Sequence, residues 1–262
     1  MIDSSTGPLI VTSAIDPPES MPFLQLADPQ RRLFQTYCGL IRWIRETKVG
    51  NIVLCDNSGT DHAFSELAIL AEQQHKRLEV LVFKGDHGKT RSQGKGYGEG
   101  EIMKHVMEHS RFLREDTAFY KVTGRIFVEG FDALHDAHAT RSVVFCPPAE
   151  MPRWRKTLLR AASKHSAVLS GFRILRKDHV ATMFYKCTKQ YYMENLLDRF
   201  RHVDDWGGYW LERAFMPPLL ANGFDLFSMP PRLVGMSASR GLLYDGGDYS
   251  DEVKNFATLL LT

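Results

Sequence analysis

The chain has 262 residues, 44% of them hydrophobic and 24% charged, so it can bury a sizeable core and has the composition of an ordinary globular protein. Its 33 Lys and Arg against 31 Asp and Glu leave a formal net charge of +2, which excludes a global field that would recruit nucleic acid. No run approaches the roughly 18 apolar residues of a membrane span, and Cys38, Cys55, Cys146 and Cys187 show no CxxC spacing, so buried thiols are expected rather than a zinc site or a disulfide framework.

Taken in chain order, "MIDSSTGPLIVTSAI" lacks the basic start and long apolar run of a signal peptide, and a cytoplasmic location is expected. Within it "PLIVTSAI" (8–15) reads as a strand. A helix over 28–48 follows, with Asp28 as N-cap, Pro29 at the first helical position, and Leu33, Tyr37, Leu40, Ile41 and Ile44 at helical spacing. "NIVLCDNSG" (51–59) is a buried strand breaking into a polar turn, 61–76 a helix, and "LEVLVFKG" (78–85) a strand. Residues 86–97 read as a polar, glycine-rich loop, 98–114 as a helix with Glu99 and Glu101 in its first turn, and "AFYKVTG" (118–124) as a strand.

Strands alternating with helices in this way predict an α/β fold, a mostly parallel, twisted, doubly wound sheet with helices on both faces. Ligands of such sheets sit at the carboxyl ends of the strands. Here those ends turn polar one after another: Thr12-Ser13, Asp56-Asn57, Lys84-Gly85-Asp86, then Lys121-Thr123-Arg125. One polar strand end is a turn, whereas four in succession predict a cleft.

The second half is less regular. Strands are expected at 141–146 and 182–187, helices at 153–165 and 189–201, a helix within 204–223 that Pro217-Pro218 ends or kinks, and a final amphipathic helix. The absence of repeats and linkers predicts one domain over 1–262, with a ligand-binding half at 8–126 and a second half at 127–262.

The sequence has no GxxxxGK[ST] phosphate loop, no GxSxG elbow and no HExxH motif. "GKGYGEG" superficially matches GxGxxG, but it follows the third strand-helix unit rather than the first strand. The order "IVTSAID", "IVLCDNSG", "LVFKGD", "GKGYGEGEIMKHVMEHS", "FYKVTGRI" instead resembles a nucleotide-sugar glycosyltransferase of the GT-A kind. More narrowly it resembles a bacterial surface-polysaccharide group (capsule or O-antigen type) with a GKGxGE-type helix start and a TGR strand end. The resemblance covers 8–126 and extends loosely through "TMFYKCTKQYYMENL", "GYWLERAF" and "RLVGMSASRG".

The resemblance implies sugar transfer from a nucleotide-sugar donor to a glycan or lipid-linked glycan acceptor. Donor-binding candidates are Thr12, Ser13, Asp56, Asn57, Gly96, Gly98, Glu99, Lys121, Thr123, Gly124 and Arg125. Most relatives carry Asp-x-Asp where this chain has Val-Thr-Gly-Arg. Mg²⁺ and Mn²⁺ want carboxylate oxygens, whereas Lys121 and Arg125 could neutralise a diphosphate directly. No metal and no cofactor are therefore expected. The plainer reading of the two cations is pairing with Glu99 or Glu101.

An inverting transfer needs a carboxylate base, which relatives draw from the second half. Glu212 and Asp205 are the candidates, with Trp206, Tyr209 and Trp210 as a stacking wall for the acceptor. A retaining mechanism would remove that need. Ser237, Ser239 and Arg240 could clamp the departing diphosphate, or simply form a surface loop. The basic segment 152–177 could approach anionic lipid at the inner face of the plasma membrane, although a solvated amphipathic helix explains it as well. Two other functions fit the same pattern: a nucleotidyltransferase on a similar sheet, and a non-catalytic nucleotide- or carbohydrate-binding module.

Overall fold

The computed structural model describes residues 6–19, 21, 24–114, 117–147, 179–239 and 241–262. The helix expected at 153–165 and the basic segment 152–177 lie outside the described residues. Strands β1 (Leu9–Ser13), β2 (Asn51–Asp56), β3 (Arg77–Val82) and β4 (Ala118–Thr123) are all parallel, in the spatial order β3-β2-β1-β4. Beyond β4 the sheet continues through β7 (Ala181–Thr188), β6 (Val144–Cys146) and β8 (Asp225–Leu226). β7 runs antiparallel to both β4 and β6, and β8 is parallel to β6, so β7 alone is reversed in a seven-stranded sheet. A separate antiparallel pair joins β5 (Ile126–Glu129) to β9 (Arg232–Gly235).

The expected doubly wound architecture is present because successive residues of the central strands point to opposite faces. Leu9, Val11, Ile52, Leu54, Tyr120 and Val122 pack on one side with α1 (Pro29–Glu46), α5 (Phe131–Ala137) and α9 (Asp251–Leu261). Ile10, Val53, Cys55 and Phe119 pack on the other with α4 (Lys95–His109) and the helical run that opens at α6 (Lys189–Tyr191). That run passes through a π turn at Tyr192–Leu196 and a 3-10 stretch at Leu197–His202. Asp28 caps α1 by accepting from Arg31 N at 3.0 Å, with Pro29 in the first turn, as its sequence predicts.

Two expectations need correction. The first concerns residues 86–97, which are not a loop: α3 (His87–Gln93) is capped by Asp86, which accepts from Lys89 N at 2.9 Å, and α4 already starts at Lys95. Glu99 and Glu101 consequently lie beyond the first turn of α4. Glycines disfavour helices when propensity decides, by roughly 1 kcal/mol each, but here close packing decides. A Cβ at Gly100 would overlap the Phe200 side chain, and one at Gly96 would lie 3.1 Å from Val203 Cγ1. The second concerns Pro217-Pro218: the expected helix is broken at Phe215, as a kink would be, and the prolines open its second segment rather than ending it. A short α7 (Leu211–Ala214) precedes, and α8 (Met216–Asn222) has its prolines in the first turn, where a missing N–H costs no intrahelical bond. The α2 helix (Ser65–Gln73) is shorter than its pattern, beginning after Phe64, which sits at φ 52°.

Candidate functional site

A cavity of about 180 Å³ opens where the carboxyl ends of β1 and β4 meet the start of β7. Thr12, Ser13 and Thr123 contribute from β1 and β4, Arg125 from the turn after β4, Asn57 from the turn after β2, and Thr182 and Met183 from β7. Glu99 and Gly98 face it from α4, Glu212 from α7, and Ser237, Ala238 and Ser239 from the loop after β9. That loop is tied down by Gln25 N and Leu26 N donating to Ala238 O, at 2.9 and 3.2 Å, and by Lys95 Nζ donating to Ser239 Oγ. The C-terminal tail thereby closes over the amino-terminal half.

Charge within the cavity is unevenly satisfied. Arg125 is 4% exposed, its Nε has no hydrogen-bond partner, and it makes no ion pair among the described residues. Burial pushes its pKa down, with Tyr244, Tyr249, Glu99 and Asp56 partly offsetting the effect. Arg32 of α1 is also 4% exposed and lines the same cavity. It donates through Nε to Ala14 O at 2.5 Å and through Nη1 to Leu26 O at 2.9 Å, so two of a guanidinium's five donors are used. Burial holds Arg32 well below its usual pKa, the like charge of Arg125 adds to this, and Asp56 opposes it. Two buried like charges face one space, and carbonyl partners do not neutralise them. A bound anion would relieve both their desolvation and their mutual repulsion.

Lys121 is placed differently from Arg125. It is fully buried, and its Nζ donates to Glu99 Oε1 at 2.5 Å, Thr182 O at 2.9 Å and Thr123 Oγ1 at 3.3 Å. Of the two cations at this strand end, the plainer pairing with Glu99 holds for Lys121, while Arg125 stays unpaired. Glu101 accepts instead from Asp86 N, at 3.1 and 3.2 Å. Glu212 accepts from Thr182 Oγ1 at 3.1 Å, so Glu99 and Glu212 are linked through Lys121 and Thr182.

Of the residues singled out in sequence, the structure brings together Thr12, Ser13, Asn57, Gly98, Glu99, Thr123, Arg125, Glu212, Ser237 and Ser239 at one cavity. Ser13 Oγ is buried without a partner, so it too can donate inward. Others stand behind this wall. Asp56 is fully buried, its carboxylate accepting from Ile15 N and Ser58 N at 2.8 and 2.9 Å and from Ser58 Oγ. Gly124 lets its N donate to Thr12 O at 2.8 Å, where a Cβ would come within 2.9 Å of that oxygen. Gly96 packs against Leu211 and Val203.

Asp205 is buried at the start of α4, where its Oδ2 accepts from Gly96 N at 3.4 Å and its Oδ1 has no partner. Burial pushes its pKa up to about 6; the Gly96 N–H and Lys95 oppose this and Glu212 adds to it. Trp206, Tyr209 and Trp210 stand on a turn closed by reciprocal Asp204–Tyr209 backbone bonds, 60%, 40% and 36% exposed, outside the cavity. Arg240 lies outside the described residues.

The group that sequence reasoning missed is Arg32. Its signal was present: Arg32, Thr36, Leu40 and Ile44 recur at i, i+4, i+8 and i+12, so a cation stands at the head of the buried stripe of α1. The end of β4 offers hydroxyl, glycine and guanidinium, and among the described residues no three His, Cys, Asp or Glu side chains are grouped to hold an ion.

No protein-family model matches the chain, and no curated protein matches it in sequence. Its structure is similar to that of the glycosyltransferase GlyE of Streptococcus pneumoniae TIGR4, with a TM-score of 0.49 and 8% identity over 84% of this chain and 45% of that one. It is also similar to the bifunctional glycosyltransferase WbbM, with a TM-score of 0.46 and 11% identity over 86% and 39%. A third similar structure is 4-diphosphocytidyl-2C-methyl-D-erythritol synthase of Anaerococcus prevotii, with a TM-score of 0.42 and 9% identity over 99% and 97%. The chain spans less than half the length of the first two. At such identities these likenesses concern fold alone.

Proposed function

We propose that this cavity binds a nucleotide-sugar and that the protein is a glycosyltransferase acting on a glycan or lipid-linked glycan acceptor in bacterial surface-polysaccharide synthesis. The observation that carries the reading is the buried, unpaired Arg125 beside the equally buried Arg32, at strand ends where the doubly wound sheet presents its ligands. Two guanidiniums facing one space suit a diphosphate, which offers each of them a planar pair of oxygens. They supply the positive charge that a metal would otherwise bring, and the reading therefore takes no bound metal.

Within it, Asn57, Thr12 and Ser13 face the nucleoside, while Glu99 and Thr123 accept from and donate to the sugar hydroxyls. Glu212 is the base. The acceptor oxygen forms a bond to the anomeric carbon, the bond from that carbon to the diphosphate oxygen breaks, and the acceptor proton passes to Glu212. The electron pair leaves with the nucleoside diphosphate, whose charge Arg32 and Arg125 stabilise in a site already desolvated. Glu212 is preferred to Asp205 because it lines the cavity, whereas Asp205 meets the first turn of α4. Trp206, Tyr209 and Trp210, exposed beside α7, offer the acceptor apolar faces.

The test is thermal stabilisation by a panel of nucleotide sugars and free nucleoside diphosphates, each with Mn²⁺ and with EDTA. A ligand at 100 times its dissociation constant stabilises by about 2.7 kcal/mol. Stabilisation by one donor, undiminished by EDTA and lost in Arg125→Ala, supports the reading, and turnover of that donor excludes a purely binding module. Dependence on metal with release of pyrophosphate would mark a nucleotidyltransferase instead. No shift with any member of the panel overturns the assignment of the arginine pair.

A further inference from the structure

Lys121 is the one cation of this strand end that never reaches the cavity, yet the cavity is organised around it. An ammonium has three N–H donors and no acceptor. All three are committed: to Glu99 Oε1 at 2.5 Å, to Thr182 O at 2.9 Å and to Thr123 Oγ1 at 3.3 Å. None is left for a phosphate oxygen, and full burial bars a ligand from reaching Nζ without displacing one of these three. Each partner does line the cavity, and one of them extends the chain: Thr182 Oγ1 donates to Glu212 Oε1 at 3.1 Å. Thr123, by accepting from Lys121, keeps its own hydroxyl proton free to donate inward.

We propose that Lys121 is a positioning residue that sets the sugar-facing wall, by fixing Glu99 and Thr123 directly and Glu212 through Thr182. The assignment rests on the cavity being a nucleotide-sugar site, and it divides that site in two. Arg32 and Arg125 hold the diphosphate, while the Lys121 network holds the groups that meet the sugar and the acceptor. The two halves are therefore separable by substitution. A charge-assisted contact that only the sugar makes is worth about ten- to a hundredfold in affinity or rate.

The experiment compares wild type with Lys121→Met, Glu99→Gln and Thr182→Val, using UDP, GDP and CDP alongside the corresponding glucose- and mannose-bearing nucleotides as probes. Lys121→Met is expected to bind the preferred free diphosphate within about threefold of wild type and to lose the extra affinity that the sugar confers, about tenfold or more. Thr182→Val cuts only the arm to Glu212 and is expected to lower kcat with little change in KM, since it leaves the donor contacts in place. Glu99→Gln keeps a hydrogen-bond acceptor for Lys121 and tests the arm to Glu99 if Lys121→Met does not fold.

If folded Lys121→Met loses the free diphosphate as completely as Arg125→Ala, then Lys121 is a phosphate ligand and the proposal is overturned. If wild type binds none of the probes, it is the nucleotide-sugar reading that fails. The positioning claim is then read from ligand-free crystal structures of Lys121→Met, or, should it not fold, of Lys121→Gln, whose amide has two N–H donors for the three partners. Displaced Thr123 or Thr182 side chains support the claim, and an unmoved wall overturns it.

Discussion

Replacing Arg125 by Met separates what the cation costs the folded protein from what it does for a ligand. The side chain is 4% exposed, has no partner at Nε, and sits beside the like charge of Arg32. Replacing a buried ion pair by apolar side chains of similar volume is often neutral to stabilising by about 1–4 kcal/mol, and a buried charge without an ion-pair partner has less Coulombic attraction to set against its desolvation. We expect the ligand-free variant to gain about 1–3 kcal/mol, which for a chain of this size raises Tm by roughly 2–4 °C per kcal/mol. Pyrophosphate, standing in for the donor's diphosphate, is expected to reverse the order. At 100 times its dissociation constant it stabilises wild type by about 2.7 kcal/mol and leaves the variant unmoved. Differential scanning fluorimetry with and without millimolar pyrophosphate reads both arms. A variant less stable than wild type without ligand, or equal stabilisation of both by pyrophosphate, would refute the view that Arg125 is held unpaired for an anion.

Two further predictions concern the frame around the cavity. Gly100→Ala would stabilise an isolated helix, yet here the new methyl overlaps the Phe200 side chain, with Cδ1 only 2.8 Å away. A loss of about 1–3 kcal/mol is expected in urea unfolding, and a gain would show that α4 is not packed this closely. Asp205 gives a pH dependence of definite sign. Its folded pKa, pushed up to about 6 chiefly by burial, lies above the ordinary value near 4, so the folded state holds the proton more tightly. That contribution is present below pH 4 and is lost as pH rises through 6. Asp205→Asn should remove a slope on the order of 2 kcal/mol over this window; urea midpoints that depend on pH identically in both proteins would contradict it.

The sequence alone determined the layered architecture. The apolar runs of β1, β2 and β4 require burial on both faces and the apolar stripe of α1 requires it on one, and these requirements are local enough to read from spacing. It also determined which polar residues cluster, since the endings after "LIVTS", "NIVLC" and "FYKVT" fall at the same end of parallel strands. Tertiary structure alone decided which polar residue does what. Lys121 and Arg125 are four positions apart and look equivalent in "KVTGR", but β7, arriving antiparallel beside β4, brings the Thr182 carbonyl to Lys121, while among the described residues Arg125 has no ion-pair partner.

The start of "GKGYGEG", through Tyr97, reads as a loop because intrinsic propensity opposes a helix there. Phe200, Val203 and Leu211, about a hundred residues later, occupy the space that side chains at Gly96 and Gly100 would need, and the helix forms around that contact. Arg32 joined the site for the same reason. Its spacing marks it as buried, but only the packing of the first turns of α1 beside the residues after β1 sets it against Arg125. Spacing along a chain fixes which face a side chain takes, whereas charge and hydrogen-bond pairing depend on what other segments bring to that face.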